Sequence, residues 1–275
     1  MSTFSKIVRL GRNKPPLVSV IRLSGAIMSG GDGLSRATLN DAGTARLIEK
    51  AFKKGKPVAV AVVINSPGGS PTQSALIAAR IRRLADETET PVHVFCEDVA
   101  ASGGYWLATA GDDITVDANS VIGSIGVISS GFGFHELIGR YGIERRVHTA
   151  GESKSWLDPF KPEQAEDVTR LKELQTDIHD NFKAQVRARR SDRIDEAATP
   201  DLFTGEVWIG QKAVDVGLAD HVGHLVPRMK DLYGDKVRFA AGTPRRSLFQ
   251  RLGAPGVEEI SAALEERSLR AQFGL

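Results

Sequence analysis

Two short glycine-containing segments follow apolar stretches that have the character of buried strands. They are Asn65-Ser66-Pro67-Gly68-Gly69 and Ala100-Ala101-Ser102-Gly103-Gly104. Glycines at such turns allow backbone N–H groups to point at a negatively charged oxygen, and a helix start adds partial positive charge. The second segment is a near relative of the nucleophile elbow, with alanine in place of its first glycine. The pair predicts a nucleophilic Ser102, with the Gly103 N–H and an N–H of Gly68 or Gly69 facing a developing oxyanion.

A serine nucleophile needs a general base, and the histidines are the first candidates. His93 and His179 fall inside a predicted strand and a predicted helix, so we expect structural roles for them. His148 lies in an alternating stretch and can face either side of a strand. The segment "ADHVGHLV" carries two further histidines near the end of the fold, where an α/β-hydrolase would place its base.

A lysine is the second kind of candidate base. Lys154 stands between Ser153 and Ser155 in "HTAGESKSWLDPFKP", after Gly151 and before a turn at Asp158-Pro159. A lysine acts as a base only when it loses its proton, which requires burial away from carboxylates. A solvated surface lysine is the plain alternative, and the residues alone leave histidine and lysine both open.

The elements that must position these residues alternate between strand and helix. The stretch 57–64 is apolar at every position, as expected for a strand covered on both faces. Apolar residues from Val168 to Val186 recur at helical spacing, with acids before them and arginines after them. The predicted strands are 17–25, 57–64, 91–97, 114–117 and 145–151, and the predicted helices are 73–85, 102–110 and the long one near 168–186. This order predicts an α/β fold with a mostly parallel sheet.

Composition narrows the class of protein. The 275 residues carry a formal net charge of +2 and only 6% aromatic side chains, which disfavours nucleic-acid binding. A single cysteine, Cys96, excludes an internal disulfide and a thiolate metal cluster, and we expect it to be buried at the end of a strand. No apolar run reaches 18 residues, so we expect neither a transmembrane segment nor a signal peptide.

Three regions are predicted along the chain. Residues 1–16 form a basic arm that is either frayed or in contact with an anionic membrane surface. Residues 17–239 form the main domain. Residues 240–275 form a helical extension with two amphipathic pieces, "RRSLFQRLG" and "VEEISAALEERSLRAQF", which we expect to serve oligomerisation.

Four segments, in this order, resemble the S49 serine peptidases, which include signal peptide peptidase A and SohB-type proteases. They are "VAVVINSPGGSPTQS", "VAASGGYWLATAGDDITVDANSVIGSIGVI", "TAGESKSWLDPF" and "FTGEVWIGQKAVDVGLADHVG". The resemblance covers about residues 17 to 225. It implies a fold like that of ClpP and crotonase, and a serine endopeptidase that needs no metal or cofactor.

Carried over residue by residue, the resemblance implies a Ser/Lys dyad. Ser102 matches the nucleophile, Lys154 the general base, and Ser124 the hydroxyl that orients the lysine amine. Gly103 with Gly68 and Gly69 matches the oxyanion hole. The implied substrates are extended, largely apolar peptides such as signal-peptide remnants. The implied assembly is a homo-oligomeric ring, such as an octamer, with composite sites in which serine and lysine come from neighbouring protomers.

Members of this family are usually anchored in a membrane, and this sequence shows no anchor. We therefore expect a cytoplasmic or peripherally membrane-associated protein. One alternative is an α/β-hydrolase-type esterase that uses Ser102 with His221 or His224 and an acid such as Asp215. Another is a catalytically silent relative that keeps the ring, and a third is a crotonase-like acyl-CoA enzyme.

Overall fold

The computed structural model describes residues 15–29, 38–151, 154–242, 264 and 266–274, in which strands and helices alternate. The strands are β1 Leu17–Ser24, β2 Ala26–Ile27, β3 Thr38–Leu39, β4 Ala59–Ser66, β5 Val92–Ala101, β6 Asp113–Val116, β7 Val121–Gly123, β8 Val207–Ile209, β9 His221–Val222 and β10 Arg238–Ala241. The helices are α1 Asp41–Lys53, α2 Pro71–Thr88, α3 Gly103–Ala108, α4 His135–Arg140, α5 Ala165–Arg190, α6 Gln211–Asp215 and α7 Leu225–Tyr233. The α/β class predicted from the sequence is confirmed.

The central sheet is mostly parallel. Its main path is β10-β1-β4-β5-β6-β9, while β7 pairs with the end of β5 and β8 pairs with β7. Only the β7–β8 pair is antiparallel among the described pairs. The β7 strand lies beside the last residues of β5 and pairs with them in parallel, with Ala101 opposite Gly123. The residues that follow these two strands are therefore brought side by side at one edge of the sheet.

Strand β4 shows why the sheet needs a cover on both faces. Val60, Val62 and Ile64 pack in the large core that also contains apolar residues of α1, α2, α3 and α5. The intervening residues Ala59, Ala61 and Val63 pack on the other face, where α7 contributes Met229. Successive side chains of a strand point to opposite faces, so the apolar run at 57–64 is explained by this double cover.

Helix α5 is the long helix predicted from residues 168–186, and it begins and ends near the predicted positions. Its Phe182 ring stacks on Trp106 of α3, with ring centroids 4.9 Å apart. At its C-terminal end, Arg190 is 1% exposed. The Arg190 guanidinium donates to the Gly217 carbonyl and to both carboxylate oxygens of Asp220. A buried arginine is stable only when its donors are satisfied, so this end of α5 is firmly held.

The predicted strand at 145–151 is wrong. The structure shows no strand in this segment, and no described residue from 126 to 181 is buried. We call residues 127–151 and 154–164 the exposed arm. The arm folds on itself through an ion pair between Arg145 and Asp158 and a ring contact between Phe134 and Phe160. Alternation of apolar and polar residues suggested a strand, but no neighbouring strand is present among the described residues to pair with it.

The ends of the chain are described only in part. Residues 1–14, and with them most of the predicted basic arm, lie outside the described residues, as does the piece "RRSLFQRLG". Residues 266–271 are helical. Arg270 there donates to the carbonyl and side-chain oxygens of Asn65 at 3.3 and 3.1 Å, and Phe273 packs against the cluster of Val99 and Ala101. In the described part of the chain, no helix is long and apolar enough to cross a membrane.

Candidate active site

Ser102 stands at the junction between β5 and α3 in a conformation that few non-glycine residues adopt. Its φ is +51° and its ψ is −124°. Its N–H donates to the Gly123 carbonyl at 2.7 Å, and its carbonyl accepts the N–H groups of Tyr105 and Trp106. The Ser102 side chain makes no capping hydrogen bond to α3. Strain of this kind costs about 1–3 kcal/mol and is concentrated at functional sites, as at a nucleophile elbow.

The glycine turn after β4 packs directly against Ser102. A Cβ at Gly68 would lie 2.8 Å from the Ser102 Cβ and 2.8 Å from the Gly103 nitrogen. A Cβ at Gly69 would lie 2.0 Å from the Ile27 carbonyl oxygen. Both glycines also have positive φ, +106° and +133°. Only glycine fits these two positions, and the two turns predicted from the sequence do meet.

The backbone donors of the two turns are not equivalent. The Gly68 N–H donates to the Ser66 hydroxyl at 3.2 Å, and that hydroxyl donates to the Gly25 carbonyl at 2.7 Å. Within the described part of the chain, the N–H groups of Gly69 and Gly103 donate to no protein group. A Cβ at Gly103 would lie 3.4 Å from the Gly69 nitrogen, so these two free donors are close neighbours. They are the pair available to an oxyanion.

Ser124 lies beside Ser102 because β7 pairs in parallel with the last residues of β5. Ala101 pairs with Gly123, so the next residues on the two strands are Ser102 and Ser124. Neighbouring strands are about 4.8 Å apart. Ser124 has a positive φ of +51°, and its N–H donates to the Glu206 carbonyl at 2.7 Å. The structure therefore brings together two partly exposed hydroxyls that are 22 positions apart in the sequence.

Lys154 lies elsewhere in the molecule. It is an exposed residue of the arm, in a turn where its N–H donates to the Gly151 carbonyl at 3.2 Å. Among the described residues, no hydrogen bond or ion pair involves the Lys154 ammonium, and none joins it to Ser102 or Ser124. The described part of a single chain therefore holds the serines and the free backbone donors together, and leaves the lysine unpaired in solvent.

Most of the histidines have other partners. His93 contacts Asp113 and the Tyr233 hydroxyl, and His221 contacts Arg228. His224 contacts Asp117, and its hydrogen bond, together with two from Asn119, lowers the pKa of that carboxyl to about 2. None of these contacts reaches Ser102, and Asp215 accepts from Gln211 instead. The residues proposed for an esterase triad are therefore not assembled around the serine.

Cys96 is buried, as expected, but it lies in the middle of β5 and not at the end of a strand, because β5 continues to Ala101. Burial raises the pKa of its thiol to about 12, so the thiol stays protonated and unreactive. In the described residues, no group of three or more His, Cys, Asp or Glu side chains is arranged to hold a metal ion.

Sequence reasoning missed two features of the site. Ser66 captures the Gly68 N–H, and its only signal was a serine two residues before a glycine. His179 of α5 donates through Nε2 to the Ile125 carbonyl, next to Ser124, at 3.0 Å. The expectation of a structural role for His179 was made from its place in a helix, which does not reveal what lies opposite.

The mostly parallel sheet, with its paired glycine turns around a strained serine, belongs to the ClpP-like α/β class of folds. A family model described as Peptidase family S49 matches residues 85–233, which is more than half of the chain. The chain belongs to peptidase family S49.

Several proteins share this similarity. A protein of Brucella melitensis named Na(+)/H(+) antiporter NhaA is 49% identical over 257 residues, which cover 94% of this chain and 34% of that protein. A putative signal peptide peptidase SppA of Enterococcus faecium is 30% identical, covering 68% of this chain and 54% of that protein. The chloroplastic serine protease SPPA of Arabidopsis thaliana is 32% identical, covering 73% and 30%. The chain thus spans between about a third and about half of the length of these relatives.

A solved structure supports the fold. A mutant form of the 1510-N membrane-bound stomatin-specific protease superposes with a TM-score of 0.51, and the match covers 84% of this chain and 99% of that one. The two sequences are 14% identical, so this likeness concerns the fold alone.

Proposed function

We propose that this chain is a serine endopeptidase that uses Ser102 as nucleophile and Lys154 as general base. The observation that carries the proposal is the strained Ser102, set against two free backbone N–H groups at Gly69 and Gly103. Ser124 beside it offers a hydroxyl to orient an incoming amine. Membership of family S49 supports the peptidase class.

The proposed chemistry proceeds in two halves. The neutral Lys154 amine takes the Ser102 proton as Oγ attacks the peptide carbonyl, and the resulting oxyanion accepts the Gly69 and Gly103 N–H groups. The C–N bond then breaks, and the lysine ammonium returns the proton to the leaving amine. A water molecule activated by the same lysine hydrolyses the acyl-enzyme. Each oxyanion donor of this kind stabilises the transition state by about 3 kcal/mol.

We propose that in this scheme the lysine comes from another copy of the chain. Lys154 is exposed and unpaired in the described part of one chain, and its arm carries exposed apolar side chains. Ile128 is 73% exposed, Phe132 81% and Tyr141 72%. Association of copies through this arm would remove apolar surface from water, and desolvation at an interface favours the neutral form of a lysine. We therefore propose a homo-oligomeric ring, such as an octamer, with composite sites.

Mixed protomers give the sharpest test. Ser102→Ala and Lys154→Ala should each abolish hydrolysis of an unstructured peptide or casein, while His148→Ala on the same arm serves as the control and retains activity. Mixing the two inactive variants under conditions that exchange subunits should restore part of the activity, because some interfaces then pair an intact serine with an intact lysine. Full activity of Lys154→Ala contradicts the dyad, and absence of restoration contradicts the composite site.

The same proteins separate the alternatives. An esterase would hydrolyse short-chain esters rather than peptides and lose that activity in His221→Ala or His224→Ala. A silent relative would not be labelled at Ser102 by a serine-reactive fluorophosphonate. A crotonase-like enzyme would bind acyl-CoA thioesters, which calorimetry detects.

We propose extended, largely apolar peptides such as signal-peptide remnants as substrates, and action at or near a membrane surface. The relative named signal peptide peptidase supports the first, and the relative named antiporter supports the second. Sedimentation of the full chain with anionic vesicles, compared with neutral vesicles, tests the membrane contact. Equal recovery with both kinds of vesicle contradicts an electrostatic attachment.

A further inference from the structure

The short segment after β7 is held by a side chain from a distant helix. Ile125 is fully buried, and its carbonyl accepts a hydrogen bond from the His179 Nε2–H at 3.0 Å. His179 lies 54 positions later, in the middle of α5. A buried carbonyl that lost this donor would be left unsatisfied, which is costly in an apolar environment.

Ser124 is thereby fixed from both sides. Its own N–H donates to the Glu206 carbonyl at 2.7 Å, and its carbonyl accepts the Gly126 N–H at 2.9 Å. Its positive φ is a conformation that a serine leaves readily unless its neighbours hold it. The Glu206 bond fixes the peptide before Ser124, and the His179 bond fixes the Ile125–Gly126 peptide, one residue beyond it.

The helix that carries His179 is itself anchored to the helix that follows the nucleophile. Phe182 stacks on Trp106 of α3, and the Gln185 amide donates to the Thr109 hydroxyl at 3.0 Å. These anchors lie three and six positions beyond His179 on α5. Displacement of the Ser124 segment relative to α3 therefore requires breaking the His179 bond or moving α5.

We propose that His179 is a positioning residue that sets the place of the Ser124 hydroxyl relative to Ser102. The inference rests on the proposed dyad, in which Ser124 orients the lysine amine. A carbonyl only accepts, so His179 donates to it from Nε2. The role of His179 in this bond is to hold the Ile125 carbonyl in place.

The test compares two substitutions of His179: one keeps an aromatic ring but has no N–H donor, and the other has an N–H donor but no ring. His179→Phe keeps the packing but removes the N–H, and we expect kcat to fall about 10- to 100-fold with KM nearly unchanged, since small misplacements of catalytic groups have effects of that size. His179→Gln restores a side-chain N–H donor and should recover most of the loss. Thr176→Val is the matched control, because it removes a side-chain hydrogen bond of the same helix, to the Lys172 carbonyl, at an exposed position that touches neither the Ser124 segment nor α3.

Coupling to Ser124 distinguishes positioning from general stability. In the Ser124→Ala background, His179→Phe should add little further loss, because the group it positions is already gone. Equal losses in His179→Phe and Thr176→Val, losses that follow the melting temperature, or additive effects with Ser124→Ala overturn the inference. If His179→Phe does not fold, His179→Asn, which has a shorter donor arm, should give an intermediate kcat, and wild-type kcat in that variant overturns the inference.

A second readout separates this inference from the proposed function. The rate at which a fluorophosphonate labels Ser102 reports activation of the serine without any choice of peptide, and it should fall in His179→Phe in parallel with kcat. Labelling of the wild type with no change in His179→Phe overturns the inference and leaves the peptidase proposal standing. A wild type that is neither labelled nor active on peptides overturns both.

Discussion

The two parts of the proposed site differ in how firmly one chain holds them. The first part lies where the ends of β5 and β7, the turn after β4 and the start of α3 meet. It consists of Ser102, Ser124 and the free N–H groups of Gly69 and Gly103. Lys154 lies on the exposed arm, where no described residue is buried and the contacts are local. The first part is preorganised by the core, whereas no hydrogen bond or ion pair among the described residues joins Lys154 to it. If the proposed dyad holds, a site divided in this way makes activity depend on assembly.

The difference has a physical cause in each region. At the strand ends, backbone atoms approach so closely that an added methyl group would overlap a carbonyl oxygen, so the geometry has little freedom. In the arm, large apolar side chains face water. Exposed apolar patches of this kind mark interaction surfaces.

The largest effect is expected from a substitution in the close-packed part of the site that contains Ser102. Gly69→Ala would place a Cβ 2.0 Å from the Ile27 oxygen at a φ of +133°. We expect a loss of about 3 kcal/mol or more in the free energy of unfolding, from combined strain and overpacking. Peptidase activity should be lost as well. Chemical denaturation followed by circular dichroism measures the first.

Gly142→Ala is the matched control in the arm. Gly142 also has a positive φ, +64°, but nothing lies within 4 Å of the added methyl group. We expect a cost of about 1 kcal/mol at most, confined to the arm. A loss in Gly142→Ala as large as that in Gly69→Ala would contradict the contrast between a rigid core and an independent arm.

A smaller effect is expected from charging the apolar surface of the arm. Ile143 is 59% exposed, and Ile143→Asp should weaken association and lower activity about tenfold or more at micromolar concentration, with the melting of the single chain unchanged. Analytical ultracentrifugation and activity against concentration give the measurement. Leu76→Asp, at a 46% exposed position on α2, is the control and should change neither.

The smallest expected effect concerns acid sensitivity. The Arg80 guanidinium, hydrogen-bonded to Asp41, lowers the pKa of that carboxyl, although partial burial opposes the shift. Because the pKa is lowered in the folded state, this stabilisation is present above the ordinary pKa near 4 and is lost as the pH falls. Asp41→Asn should reduce the free energy of unfolding by about 1 kcal/mol at pH 6 and by much less at pH 3.

The ion pair between Arg145 and Asp158 in the exposed arm provides the comparison for the unfolding measurement on Asp41→Asn. A backbone hydrogen bond from Phe160, with the Arg145 interaction, also lowers the pKa of Asp158. Asp158→Asn should leave the unfolding of the core unchanged at both pH values, since the described arm contributes nothing to the buried core. A pH-dependent loss in Asp158→Asn equal to that in Asp41→Asn would show that the arm and the core unfold together.

Much of the fold was accessible from the order of apolar runs. The runs at 17–25, 57–64 and 91–97 correspond to β1, β4 and β5, because short apolar runs are typical of strands in a sheet that is covered on both faces. Short strands such as β7 and β9 were missed, since two or three residues are too few to show the alternation of apolar and polar side chains that indicates a strand. The segment 145–151 had the right alternation but no partner strand among the described residues, and periodicity alone does not report a partner.

The residue types of the site could be read from local patterns. A serine between small residues and a pair of glycines after a buried strand are set by what fits a tight turn. Which of these groups meet depends on the packing of the folded chain. The pairing of β7 with β5 places Ser124 beside Ser102, and Ser66 occupies the Gly68 N–H so that Gly69 and Gly103 keep the free donors. The sequence left a solvated Lys154 and a buried Lys154 both open, because contacts between distant segments depend on how the chain packs and not on the spacing of its residues.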